Sequence, residues 1–170
     1  MKKVFEVLNQ MVTDGAIENY AVAGAIGAMF YIEAFSTQDI DVLTRLPKST
    51  GSLIAELPGW KYLQEHGYTE IRGEAIVVDG WPLQLLPVGD ALEREAYLIA
   101  QTLNYEGTRV RVVLAEHLVA IMLKVGRLKD YARIQTFLSQ DAVDIERLEV
   151  IIGHHGLESK WAEFRRRFLG

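Results

Sequence analysis

The sequence predicts an α/β (α+β) fold: a small mixed sheet flanked by helices, followed by a C-terminal helical subdomain. Three observations predict it. Asp39-Ile40-Asp41-Val42-Leu43 alternates charged and apolar residues, the mark of a strand with one wet and one buried face. Two apolar runs, Glu74–Val78 and Trp81–Val88, flank Asp79-Gly80, a strong two-residue hairpin signal. From Leu114 onward every apolar period is helical.

The elements follow in order. Phe5, Leu8, Met11 and Val12 recur at helical spacing, so residues 2–14 read as an amphipathic helix ending near Asp14-Gly15. Tyr20-Ala21-Val22-Ala23 is short and apolar, and the small residues from Gly24 lead into a helical run to Tyr31. That texture predicts a strand turning sharply into a helix, with backbone able to approach something closely. The strand at Asp39–Leu43 then points both aspartates to one face. Residues 50–66 read as a surface helix bent near Pro58-Gly59, with Trp60 and Leu63 turned inward. After the hairpin, residues 89–100 read as helix and Arg109–Val113 as a last short strand. Four helical stripes complete the chain: Leu118, Ile121, Val125 and Leu128; Ile134, Phe137 and Leu138; Ile145, Leu148, Ile151 and Ile152; and Trp161, Phe164 and Phe168. No repeat or Pro/Gly/Ser linker interrupts the sequence. Residues 1–113 therefore form the sheet-bearing core and 114–170 the helical subdomain of one structural domain.

Composition narrows the chemistry. At 170 residues, 49% of them hydrophobic, the chain can bury one core without disulfides. Cysteine is absent, which excludes thiolate metal sites and a cysteine nucleophile. Glu6, Asn9, Gln10 and Asp14 interrupt the N-terminal segment, so no signal peptide or membrane span is expected and a cytoplasmic location is. Residues 1–100 carry 7 Lys+Arg against 14 Asp+Glu, and residues 101–170 carry 11 against 9. A wholly basic surface for bulk nucleic-acid binding is absent.

The constellation that carries chemistry is the small-residue turn at Gly24 followed by Asp39 and Asp41 on a strand. Same-face side chains on a strand stand roughly 7 Å apart, so both carboxylates can serve one hard cation or a close pair. Mg²⁺ or Mn²⁺ suits oxygen donors that leave room for water and phosphate. Such an ion would neutralise developing charge and orient an in-line phosphoryl displacement, and backbone N–H groups after Gly24 would face phosphate. Alone, an Asp-x-Asp pair is more often a solvated strand face than a metal site. His154-His155 invites comparison with a metal site, but adjacent helical positions point about 100° apart and no further ligand has suitable spacing, which favours a helix-end role. His66 and His117 stand without partners in the sequence, and Arg165-Arg166-Arg167 with Lys160 reads as a solvated helix end that opposes the helix dipole.

Ala23-Gly24-Ala25-Ile26 followed by Thr37-Gln38-Asp39-Ile40-Asp41-Val42 resembles the Gly-Gly…Asp-x-Asp signature of the polymerase-beta-type nucleotidyltransferase superfamily, in its AbiEii-like version. A second block, Ala115 through Lys124, Arg127, Lys129 and Asp130, resembles that family's helical Lys…Arg-x-Lys-Asp block. The matches span roughly residues 20–138. The resemblance implies a nucleotidyltransferase fold, with Asp39 and Asp41 as metal ligands and catalytic residues. It implies nucleotide-binding roles for Gly24, Ala25, Thr37, Lys124, Arg127 and Lys129. It also implies a nucleoside triphosphate donor, an acceptor hydroxyl on tRNA or a protein, and an antitoxin partner.

Three positions depart from the family pattern. Ala23 replaces the first glycine, which a negative φ would tolerate. Gln84, in Leu83-Gln84-Leu85, stands at the third catalytic carboxylate position; its carbonyl can meet a metal, but it cannot act as a base. Arg133 replaces a later aspartate. Asp79 and Glu74 are the nearby carboxylates for the missing role. Two functions stay open: a Mg²⁺-dependent nucleotidyltransferase, or a module of the same fold that binds a nucleotide or protein without turnover. For Lys129 and Asp130, a structural pairing at a helix start is as good an account as a functional one.

Overall fold

The structure is a computed structural model that describes residues 1–33, 37–45 and 58–170. Eight helices and seven strands are described: α1 (Lys2–Thr13), β1 (Tyr20–Val22), α2 (Gly24–Ala28), β2 (Ile40–Thr44), α3 (Pro58–Glu65), β3 (Ile71–Arg72), β4 (Ala75–Val78), β5 (Trp81–Pro87), α4 (Ala91–Leu98), β6 (Gln101–Tyr105), β7 (Thr108–Val112), α5 (Ala115–Val125), α6 (Leu128–Ser139), α7 (Ile145–His154) and α8 (Glu158–Phe168). Residues 50–57 of the helix expected over 50–66 lie outside the described residues, and α3 is its remainder, with Trp60 and Leu63 buried as anticipated.

The strands form one mixed sheet in the order β3-β4-β5-β2-β1-β7-β6. β2 runs antiparallel to β1 and parallel to β5, and β1 runs parallel to β7. Two strands were not anticipated. β3 is only two residues long and exposed. β6 is an edge strand whose Gln101, Thr102 and Asn104 dilute the apolar signal, and it returns to β7 through Glu106-Gly107, both at positive φ. The β4–β5 turn conforms to expectation, with Asp79 at φ +50° and Gly80 at φ +79°, the signs that a tight hairpin twist requires.

Alternation along the strands separates two apolar clusters. Val22, Ile40, Val42, Leu83 and Leu85 belong to the one that takes in α1 and α3. Ala21 and Leu43 belong to the other, with residues of α4 through α8. Ile40 and Val42 are wholly buried, each contributing about 1.5–3 kcal/mol by leaving water. Their burial fixes the register of β2 and with it the face to which residues 39 and 41 point. That is the face bearing α5 and α6. On the opposite side, Asn9 of α1 donates to the Arg109 carbonyl at 2.8 Å and accepts from the Tyr20 hydroxyl at 2.8 Å, pinning the amphipathic helix across β7 and β1.

Among the described residues, no helix is long and apolar enough to cross a membrane.

Candidate functional site

β2 delivers the two aspartates. Asp41 is its second residue and half-buried, and Asp39 immediately precedes the strand and is exposed. The Thr37 hydroxyl donates to Asp39 Oδ1 at 3.1 Å, which orients that carboxylate. Asp41 lies in register with Gln84 on parallel β5, so the two side chains share a face. The Gln84 amide nitrogen donates to Glu74 Oε2 at 3.1 Å. Glu74 thus reaches the neighbourhood, whereas Asp79 stays in the hairpin turn.

Gly24 has a role the sequence only hinted at. Its φ is +56°, and a Cβ placed on it would stand 2.2 Å from Asp41 Oδ2. The backbone approaches the carboxylate itself, and no side chain larger than hydrogen fits. The Ala23 amide donates to the Asp41 carbonyl at 2.8 Å, locking β1, the turn and β2 together. Ala23 has φ −124°, the negative value at which alanine replaces glycine without strain.

Two adjoining cavities open beside these groups. One, of about 400 Å³, is lined by Ala25, Asp39, Asp41, Arg127, Lys129 and Arg133 among others. The second, of about 770 Å³, is lined by Arg72, Glu74, Trp81 and Pro82 and shares Thr37, Gln38, Asp39 and Gln84 with the first. Of the charged groups that line the first cavity, Arg133 is buried, Asp41 half-buried, and Asp39, Arg127 and Lys129 exposed. Burial raises the Asp41 carboxyl above the ordinary carboxylate range, and the Asp39 charge pushes the same way; Arg127, Lys129 and Arg133 oppose both. The groups lining that cavity that can meet a cation, the two carboxylates with Thr37, Gln38 and Gln84, all offer oxygen. The donor set fits a hard divalent cation.

The described positions of the other expected residues divide. Ala25, Thr37, Arg127 and Lys129 line the first cavity with both aspartates. Lys124 does not; its ammonium pairs with Asp90, the N-cap of α4, and with Glu93 of α4 at 3.4 Å. Asp130 is buried at the start of α6, where it accepts from Arg127 Nε at 2.7 Å and lies 3.5 Å from Arg133 Nη1. Asp130 thus ties two of the cavity-lining cations to the start of α6. Arg133 was noted in the sequence only as a charge reversal, and the fold turns that reversal into a cavity-lining cation. Trp81 in the larger cavity was read only as a strand residue.

A nucleotidyltransferase-like architecture is what this sheet order and helix arrangement amount to. Two solved structures carry that statement. A nucleotidyltransferase-like antigenic protein from Paracoccidioides brasiliensis superposes with a TM-score of 0.57 at 18% identity, over 82% of this chain and 74% of that one. The antibiotic-resistance factor ANT(2'')-Ia superposes with a TM-score of 0.54 at 14% identity, over 98% of this chain and 95% of that one. At such identities the likeness is one of fold. No protein-family model matches the chain, and no curated protein matches it in sequence.

Proposed function

We propose that the protein is a metal-dependent nucleotidyltransferase that moves a nucleotide from a nucleoside triphosphate to an acceptor hydroxyl. The observation that carries this is the contact between Gly24 and Asp41: a left-handed glycine backbone makes room for a half-buried carboxylate that lines one cavity with Asp39 and three cations. Asp39 and Asp41 would hold Mg²⁺ or Mn²⁺, and the bound ion would supply charge neutralisation at the transferring phosphoryl group. The Thr37 hydroxyl holds the Asp39 carboxylate beside the cavity that both residues line. Gly24 and Ala25 offer backbone at the triphosphate. Arg127 and Lys129, with Arg133, balance its charge from the α6 side. Lys124 belongs to the same proposal only if it leaves its α4 partners.

The base is the open step. Gln84 cannot take a proton from the acceptor, but Glu74, hydrogen-bonded to Gln84 and lining the same cleft, has the carboxylate chemistry to do so. The AbiEii-like sequence blocks extend the proposal: a cytoplasmic toxin–antitoxin or phage-defence setting, tRNA or a protein as acceptor, and an antitoxin as partner. One specific observation favours a second function, nucleotide or protein binding without turnover. The residue in register with Asp41 is Gln84, not a carboxylate.

Calorimetric titration of the protein with each nucleoside triphosphate, with and without Mg²⁺, tests the site. Asp39→Asn/Asp41→Asn serves as the control. Metal-dependent binding lost in the control supports the site, and no binding at millimolar ligand removes it. Pyrophosphate release with RNA or protein acceptors then separates turnover from binding, and Glu74→Gln tests the base.

A further inference from the structure

Three of the chain's four histidines converge on one carboxylate, and none of these four residues is among those lining the aspartate cleft. Glu95 of α4 has Oε1 3.0 Å from His117 Nε2 of α5. Its Oε2 lies 2.9 Å from His155 Nε2 and 3.5 Å from His154 Nδ1, at the end of α7. The ligand atoms of Glu95, His154 and His155 all lie within 4.8 Å of one another. Adjacent imidazoles diverge on a regular helix, but α7 ends here: His155 has φ −105° and ψ 11°, outside the helical well. The break lets two consecutive rings face one oxygen.

We propose that Glu95, His154 and His155 bind a single transition-metal ion, with Zn²⁺ the best match, and that His117 holds the other Glu95 oxygen. Tetrahedral nitrogen and oxygen ligands at about 2.0–2.1 Å from Zn²⁺ stand about 3.3–3.4 Å from each other. The Glu95 distances of 2.9 and 3.5 Å bracket that separation. Two imidazoles with a carboxylate select a borderline-soft ion over Mg²⁺, which takes oxygen. A fourth position is left for water.

His117 fits a supporting role. It is buried, and its Nδ1 has no hydrogen-bond partner. The tautomer with its proton on Nε2 donates to Glu95 and leaves no buried N–H without an acceptor. Metal-binding groups are commonly fixed by such a second contact. His154 is 71% exposed while His155 is 9% exposed, so the site has a buried wall and an open mouth through which an ion enters. The ion would join α4 to the α7–α8 corner, adding a tie where the fold otherwise relies on side-chain contacts.

The test uses the full chain carrying Asp39→Asn/Asp41→Asn, which removes the other cation site, after stripping with chelator. Zn²⁺ is titrated calorimetrically, with Co²⁺ absorption reporting coordination geometry and a melting curve reporting stability. The proposal expects one equivalent of Zn²⁺, a tetrahedral Co²⁺ spectrum and a higher melting temperature with metal. His154→Ala, at an exposed position that leaves the core intact, should lower Zn²⁺ affinity by more than about tenfold, and Glu95→Gln should do the same. Absence of saturable Zn²⁺ uptake would overturn the proposal. Uptake unchanged by both substitutions, or Mg²⁺ binding as tightly as Zn²⁺, would overturn it equally.

Discussion

The cleft at Asp39 and Asp41 and the cluster around Glu95 both gather charged side chains, but they are built in opposite ways. In the cleft, the paired acids are two residues apart along one stretch of chain, Asp39 just before β2 and Asp41 within it, so local extended backbone sets them on one face. Around Glu95, the members come from three helices, with 22 residues separating Glu95 from His117 and 60 separating it from His155. The first is rigid because the backbone makes it, and the second holds only as long as α4, α5 and α7 stay packed. A site drawn from one stretch of chain should survive loss of peripheral packing; a site drawn from several helices should not.

The largest effect expected from breaking the first arrangement is that of Asp39→Asn/Asp41→Asn. On the proposed function, removing both ligands of the ion should lower turnover by about 100-fold or more. The fold should remain, which circular dichroism checks. Next comes Gly24→Ala. The new methyl would meet Asp41 and force a left-handed alanine, costing about 1–3 kcal/mol in urea denaturation. Combining it with Asp41→Gly should recover part of that loss, because the collision partner is gone, whereas a purely conformational penalty would be unaffected.

A smaller effect sharpens the division between the two regions at their border. Lys129→Ala should weaken Mg²⁺-dependent nucleotide binding about fivefold, the equivalent of about 1 kcal/mol. Lys124→Ala should change nucleotide affinity less and stability more, since its ammonium is held by Asp90 and Glu93. The reverse ranking would show that Lys124 exchanges α4 for phosphate.

The smallest effect lies at α3. Tyr62 donates to Asp14 Oδ2 at 2.6 Å, linking α3 to the end of α1. That bond raises the Tyr62 hydroxyl to about 12 and lowers the Asp14 carboxyl. The raised phenol contributes stability that is complete below its unfolded value near 10 and is lost as pH rises through about 12. The lowered carboxyl contributes above its ordinary value of 3.8 and loses its contribution as pH falls through its folded value. Tyr62→Phe should therefore remove one late-titrating phenol from the alkaline absorbance curve and flatten stability slightly at both pH extremes.

How much was legible in the sequence follows from the same distinction between local and distant. The alternation in β2 and the Asp79-Gly80 turn are local signals, and each element formed where its own residues predicted. β6 was missed because an edge strand needs little apolar side chain, and because Glu106-Gly107 lacks the Asn or Asp usual in such a turn. The paired aspartates and the Gly24 turn were visible because one short stretch of chain and one turn contain them. Glu95 was invisible as a partner for His155, since nothing within α4 or α7 records that the helices meet. Lys124 is a mixed case: its place on α5 was predictable, but the competing acids sit at the start of α4.

The contact between Gly24 and Asp41 also imposes an order on the protein's history. While residue 41 carries its carboxylate, any side chain at 24 collides with it, so a lineage abandoning this acidic pair can give up the aspartate first and the glycine only afterwards. A relative with the glycine kept and the acid gone would stand one substitution along that order. One in which both positions have drifted would stand two along, so the two residues read together report how far the acidic pair has been given up.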